Sequence, residues 1–161
     1  MAKLSVAKIN KLNREMDKKR KIYILEDNDE VDINVKFKET VINRIVMEYI
    51  TILERISRTE QLDNELVIGS IGLLNLFMLR EFSNVPMIPK TSEDLQENIE
   101  IADALYNCGI MDAVLEQFDV VEKQKVYDKL NKVSTETGKF LGEAALKEAL
   151  TSSKDSEEDG F

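Results

Sequence analysis

Apolar residues change their spacing twice along this chain, and the changes divide it into elements. Between Ala2 and Lys19, Leu4, Ala7, Leu12 and Met16 form a thin stripe with Lys8, Lys11, Arg14 and Lys18 around it, which predicts a short basic helix. Lys21 to Leu25 and Val31 to Phe37 then flank the acidic turn Glu26-Asp27-Asn28-Asp29-Glu30. In the second segment Val31, Ile33, Val35 and Phe37 alternate with Asp32, Asn34 and Lys36, the period of a strand with one buried face. The two segments predict an antiparallel hairpin. An isolated hairpin is marginal in water, so it is expected to lie on helices or to pair with another chain's edge.

From Thr40 the spacing becomes helical. Ile42, Ile45, Val46, Tyr49, Ile50, Leu53 and Ile56 recur at steps of three and four, opposite Asn43, Arg44, Glu48, Glu54 and Arg55. Leu62 to Phe82 is apolar nearly all round, as expected of a helix inside a bundle or under an oligomer interface. Gly69 and Gly72 within it lower helix propensity and are expected to let a neighbouring helix come close. Pro86 and Pro89 make Asn84 to Pro89 a connector. Thr91 and Asp94 resemble the start of a capping box for a helix striped by Leu95, Ile99, Ala102 and Tyr106, which stops near Asn107-Cys108-Gly109. A short helix over Ile110 to Phe118 follows. Asp119 and Glu122 then open a long helix through Val126, Leu130, Val133, Phe140, Ala144 and Leu150.

The predicted fold is mainly α: a bundle of about five to six helices with an N-terminal β-hairpin as a minor β component. Residues 1–20 form a basic helix or arm, 21–150 the hairpin and helical domain, and 151–161 an acidic tail too poor in apolar residues to fold.

Charge sharpens this division. Residues 1–21 carry eight basic and two acidic side chains, while the rest of the chain has a net charge of −15. The arm, including Lys11, Arg14, Lys18, Lys19, Arg20 and Lys21, is therefore expected to meet an acidic surface, its own or a partner's. Nucleic acid is a poor match, because the acidic body would repel it and no aromatic residues interleave the arm.

Candidate chemistry is sparse. The chain has no histidine and one cysteine, Cys108, which leaves no internal disulfide and no ligand set for a structural zinc site. Cys108 has no activating neighbour and is expected to behave as a small core residue. Gly69-Ser70-Ile71-Gly72 lacks the lysine of a phosphate loop and reads as packing. Asp27, Asp29 and Asp32 lack the glycine and distal glutamate of a calcium loop, and Asp103 and Asp112 have no base or metal partner. The expectation is an interaction protein with no catalytic residue, cofactor or metal. Its apolar runs fall short of a membrane span, and the absence of a signal-peptide pattern favours the cytoplasm.

The pieces Lys11-Leu12-Asn13, Lys21 to Phe37 and Lys36-Phe37-Lys38-Glu39-Thr40, leading into an Ile-rich helix, make residues 1–56 resemble tail assembly chaperones of long-tailed, siphovirus-type phages and prophages of Gram-positive bacteria. That resemblance implies a protein that binds the long tape measure protein and keeps it soluble while the tail forms. It also implies a homo-oligomer or many-copy coat in the host cytoplasm, absent from the finished virion. Candidate client or oligomer contacts are Val31, Ile33, Val35 and Phe37 on the hairpin, Leu74, Phe77 and Met78 on the apolar helix, and Met87 and Ile88 in the connector. The competing expectation is an acidic, DNA-mimicking inhibitor of a host nucleic-acid enzyme, motivated by the −15 body.

Overall fold

The computed structural model describes residues 3–58 and 64–137, and the architecture is mainly α with a small β part: six helices and one two-stranded antiparallel sheet among those residues. Helix α1 (Val6–Glu15) starts where the Ser5 hydroxyl accepts the Lys8 amide at 3.2 Å, a cap that satisfies one orphan donor of the first turn. Strands β1 (Lys19–Ile24) and β2 (Asp29–Asn34) pair with Ile22 opposite Val31, and Ile22, Ile24, Val31 and Ile33 are buried.

The hairpin sits one to three residues earlier than its alternation predicts. Basic Lys19 and Arg20 join the ladder opposite Asn34 and Ile33, and Lys21 pairs with Glu30 at 3.3 Å. The turn is Leu25 to Asn28, with both ends in the left-handed region at φ 63° and 55°. β2 stops at Asn34; Val35 donates to the Lys18 carbonyl at 3.0 Å, and its side chain then lies beyond the paired residues and stays exposed.

The hairpin lies on the helices, and part of its outer edge is used within the chain. Ile33 bridges to Ser83, Asn84 donates its amide to the Asp32 carbonyl at 3.1 Å, and the Asn84 side-chain oxygen accepts the Asp32 amide at 2.8 Å. Those bonds satisfy strand groups that would otherwise be open to another strand.

Helix α2 (Glu39–Arg58) buries all seven residues of its predicted stripe and Ile52 as well. It packs on α3 (Asn64–Phe82), which buries Leu73, Leu74, Leu76, Phe77, Met78, Leu79 and Phe82. Residues this dense in apolar side chains have elements on both sides, since α4 (Leu95–Asn107) and α5 (Ile110–Gln117) also pack on α3. The two glycines explain the close approach of α4. A Cβ on Gly69 would come within 2.9 Å of Ile99, and one on Gly72 within 3.0 Å of Tyr106.

Asp94 caps α4 by accepting the Glu97 amide at 3.0 Å, so the helix begins at the second of the two predicted cap residues. Buried Asn98 ties the approach down, donating to the carbonyls of Thr91 and Asp94. Gly109, at φ 81°, lets the chain reverse into α5. Asp119 caps α6 (Val120–Thr137) by accepting the Val121 amide at 2.8 Å. Buried Glu122 sits 2.5 Å from Lys125, one turn on, where a capping box would have it reach back to the cap. Predicted positions Phe140, Ala144, Leu150 and the tail 151–161 lie outside the described residues.

Phe37 ties the two halves of the molecule together. Its ring stacks on Phe82 at 3.8 Å and meets Phe118 edge-on at 5.1 Å. One buried side chain thus joins the hairpin's exit to the ends of α3 and α5.

Candidate protein-binding surface

The nine residues proposed as contacts divide by burial. Val31, Ile33, Phe37, Leu74, Phe77 and Met78 are all in the core, which corrects any expectation that they form free surface in this fold. The physical reason is simple: each lies on the inward face of its element, where water exclusion is worth ~1.5–3 kcal/mol per large side chain. Ile88 is half-buried against the same core. Val35 and Met87 are exposed, Met87 in a left-handed backbone conformation (φ 64°) directly after Pro86. Cys108, expected inside, is also exposed, its thiol 3.6 Å from the Leu105 carbonyl.

Further exposed apolar residues lie outside these nine. Helix α1 buries none of its residues. Val6 is 74% exposed, and Ile9 and Leu12 are 50% exposed. At 100° per residue these three and half-buried Met16 share one face, with Lys8, Lys11 and Arg14 grouped on the other side. The predicted stripe used Ala7, which falls on the basic side; Val6 and Ile9 are the residues that complete the face. A second exposed pair, Val120 at 72% and Val121 at 66%, opens α6. Acidic Asp112, Glu116 and Asp119 are exposed just before it.

Where the basic arm meets the body, it does so through its end. The Arg20 guanidinium donates to the Gln117 carbonyl at 2.5 Å, the last residue of α5, where the helix dipole favours a cation. Asp17 pairs with Lys38 at 2.6 Å. Among the described residues Lys8, Lys11 and Arg14 enter no ion pair.

Inside the body, charge is tied up structurally. Arg80, with its side chain 8% exposed, holds both carboxylate oxygens of Glu48 at 3.1 and 2.7 Å, contacts Glu81 at 3.2 Å and lies 4.6 Å from the Phe77 ring centroid. Burial disfavours the charge on Glu48. Hydrogen bonds from Arg80 and Ser92, with the nearby charges of Arg80 and Arg44, outweigh it and hold this carboxyl below the ordinary glutamate range. A second polar chain links α3, α4 and α6: Asn75 donates to the Tyr106 hydroxyl at 2.7 Å and accepts from Tyr127 at 3.3 Å.

A surface cleft of about 470 Å³ opens between α3 and α4, lined by Gly69, Ile71, Gly72, Asp103, Tyr106 and Asn107. It brings Asp103 beside the two glycines, but the Tyr106 hydroxyl is already engaged by Asn75. Among the described residues no group of His, Cys, Asp and Glu is arranged to hold a metal ion, and no helix is long and apolar enough to cross a membrane.

Fold and surface together define a small, mainly α protein that carries a basic amphipathic helix outside its core. The chain belongs to the YomO family, whose model matches residues 6–160. No curated protein and no solved structure matches it.

Proposed function

We propose that this chain is a phage tail assembly chaperone that binds the tape measure protein and keeps it soluble during tail morphogenesis, without catalysis. The observation that carries the reading is α1, an amphipathic helix with no buried residue, on a body that buries the apolar stripe of α2 and the Leu73-to-Phe82 part of α3. A holding protein needs apolar surface that stays in solution. The net charge of −9 supplies mutual repulsion between particles, and the basic flank of α1 supplies local attraction for an acidic or amphipathic helical client. The resemblance of residues 1–56 to tail assembly chaperones supports the same role, and so does the phage-type name of the YomO family. It would act in the host cytoplasm as a homo-oligomer and leave no copy in the virion.

The test is co-expression with a tape measure protein, followed by partition of that client between soluble and pelleted fractions. The client is expected to remain soluble and co-purify; a client that pellets as it does alone refutes the role. The rival reading, a DNA-mimicking inhibitor, draws on the exposed acidic row Asp112, Glu116 and Asp119. It predicts salt-sensitive binding to a basic host enzyme, which the cationic α1 would oppose.

A further inference from the structure

The two outer edges of the hairpin complement each other, and one of them is plugged. We infer that Asn84 is an autoinhibitory clasp: it occupies on β2 the central rung that β1 of a second copy would otherwise fill, and so prevents edge-to-edge growth of the sheet. The inference goes beyond the chaperone reading and involves no client.

The register decides which backbone groups face outward. Val35 donates to the Lys18 carbonyl at 3.0 Å, so that pair is hydrogen-bonded, and stepping by two the pairs Arg20–Ile33 and Ile22–Val31 are hydrogen-bonded as well. The residues between them turn their N–H and C=O groups away from the hairpin: Lys19, Lys21 and Tyr23 on β1, and Asn34, Asp32 and Glu30 on β2. On β1 those groups bond to nothing among the described residues, and the side chains of Lys19, Lys21 and Tyr23 are exposed. On β2 the middle residue is taken. Asn84 donates its amide to the Asp32 carbonyl at 3.1 Å and accepts the Asp32 amide on its side-chain oxygen at 2.8 Å. Its side-chain nitrogen lies 3.4 Å from the Asp32 carboxylate. One amide and one side-chain oxygen thus copy the two bonds that a neighbouring strand would make. The outward backbone groups of Glu30 and Asn34, on either side, have no such partner among the described residues.

A second copy's β1, laid antiparallel on that edge in the hairpin's own register, sets Lys21 opposite Asp32, Tyr23 opposite Glu30 and Lys19 opposite Asn34. Opposite charges then meet directly on one face of the sheet. Like edges do not match. Two β1 edges centred on Lys21 oppose two lysines, and two β2 edges centred on Asp32 oppose two aspartates. The fitting contact is therefore heterologous, and repeated it adds copies beyond a dimer. With the clasp shut, each copy offers one open edge and one plugged edge, and these cannot pair. An open edge is a template for another chain, so plugging one of the two is enough to stop growth.

The experiment compares full-length wild type with Asn84→Ala, without client. Asn84 is exposed, and retained helical circular dichroism verifies the fold. In dilute protein, the Asp32 amide is expected to be protected from hydrogen exchange in wild type and to exchange about tenfold or more faster in the variant. By sedimentation velocity, the variant is expected to associate beyond a dimer at concentrations about tenfold or more below any at which wild type does, and less so at high salt. Lys19→Glu/Lys21→Glu added to Asn84→Ala reverses the charge of the incoming edge. It is expected to return association to the wild-type level while the Asp32 amide stays fast. An Asp32 amide that exchanges equally in wild type and Asn84→Ala overturns the inference. So does an Asn84→Ala protein that associates no more than wild type, or association that survives Lys19→Glu/Lys21→Glu.

Discussion

Replacing Phe37 with alanine should destabilise the whole fold, although the residue sits just past the end of a short strand. Phe37 is 1% exposed, face-to-face with Phe82 and edge-on to Phe118. Truncating a buried phenylalanine costs about 3–5 kcal/mol through lost burial and the cavity left behind. Two aromatic contacts beyond plain burial place this site toward the upper half of that range. A domain of this size is stable by ~5–15 kcal/mol, so a loss of about 4 kcal/mol removes a large fraction and lowers the melting temperature by roughly 8–16 °C. Urea denaturation followed by circular dichroism measures it, with Phe37→Leu as a control expected to lose less than half as much. A loss below about 1 kcal/mol for Phe37→Ala would refute the keystone role, because a site that collapses or never packed costs that little.

Further consequences follow from other parts of the core and surface. Gly69→Ala should destabilise by about 1–2 kcal/mol despite alanine's better helix propensity, because its Cβ would meet the β-branched, buried Ile99 at 2.9 Å; a stabilised variant in thermal melts would show that α4 can move away. Glu48 has a folded-state pKa below the ordinary range, so its contribution is present above the unfolded value and is lost as pH falls through the folded one. Glu48→Gln should therefore flatten the fall in stability between about pH 5 and pH 3 measured by urea midpoints, and an unchanged slope would contradict the Arg80 pairing. Burial pushes Tyr49 up to about 12, so stability should decline as pH rises from about 10 toward that value; Tyr49→Phe should remove that part of the decline in melting temperature. Met87→Gly relieves a left-handed backbone and should raise stability by about 0.5–1 kcal/mol in the same urea assay, with no gain if the turn is unstrained.

Periodicity read most of the architecture because it reports which face is dry. Every residue of the Ile42-to-Ile56 stripe is buried, and the all-round apolar run of α3 lies between α2 on one side and α4 and α5 on another. The same logic bears on the candidate contact residues. Phe77 and Met78 are apolar enough to suggest a contact surface, and they are buried for the same reason. The strands lie earlier than the pattern predicts because alternation continues through Val35 and Phe37 after the ladder ends, while the charged start of β1 has no apolar signal at all. What periodicity cannot report is whether an amphipathic helix has a partner. The face of α1 has the same spacing as that of a core helix, and only three-dimensional packing shows that nothing in the described fold covers it. Val120 and Val121 give no periodic signal, because two adjacent apolar residues point in different directions on a helix and match no stripe.

The central claim, that association through α1 is what keeps a helical client in solution, is tested most directly by client solubility with Ile9→Ser/Leu12→Ser against wild type. The tape measure protein should stay in the supernatant with wild type and pellet with the equally stable variant. A client held equally well by both proteins would contradict the account, as would one that pellets with both.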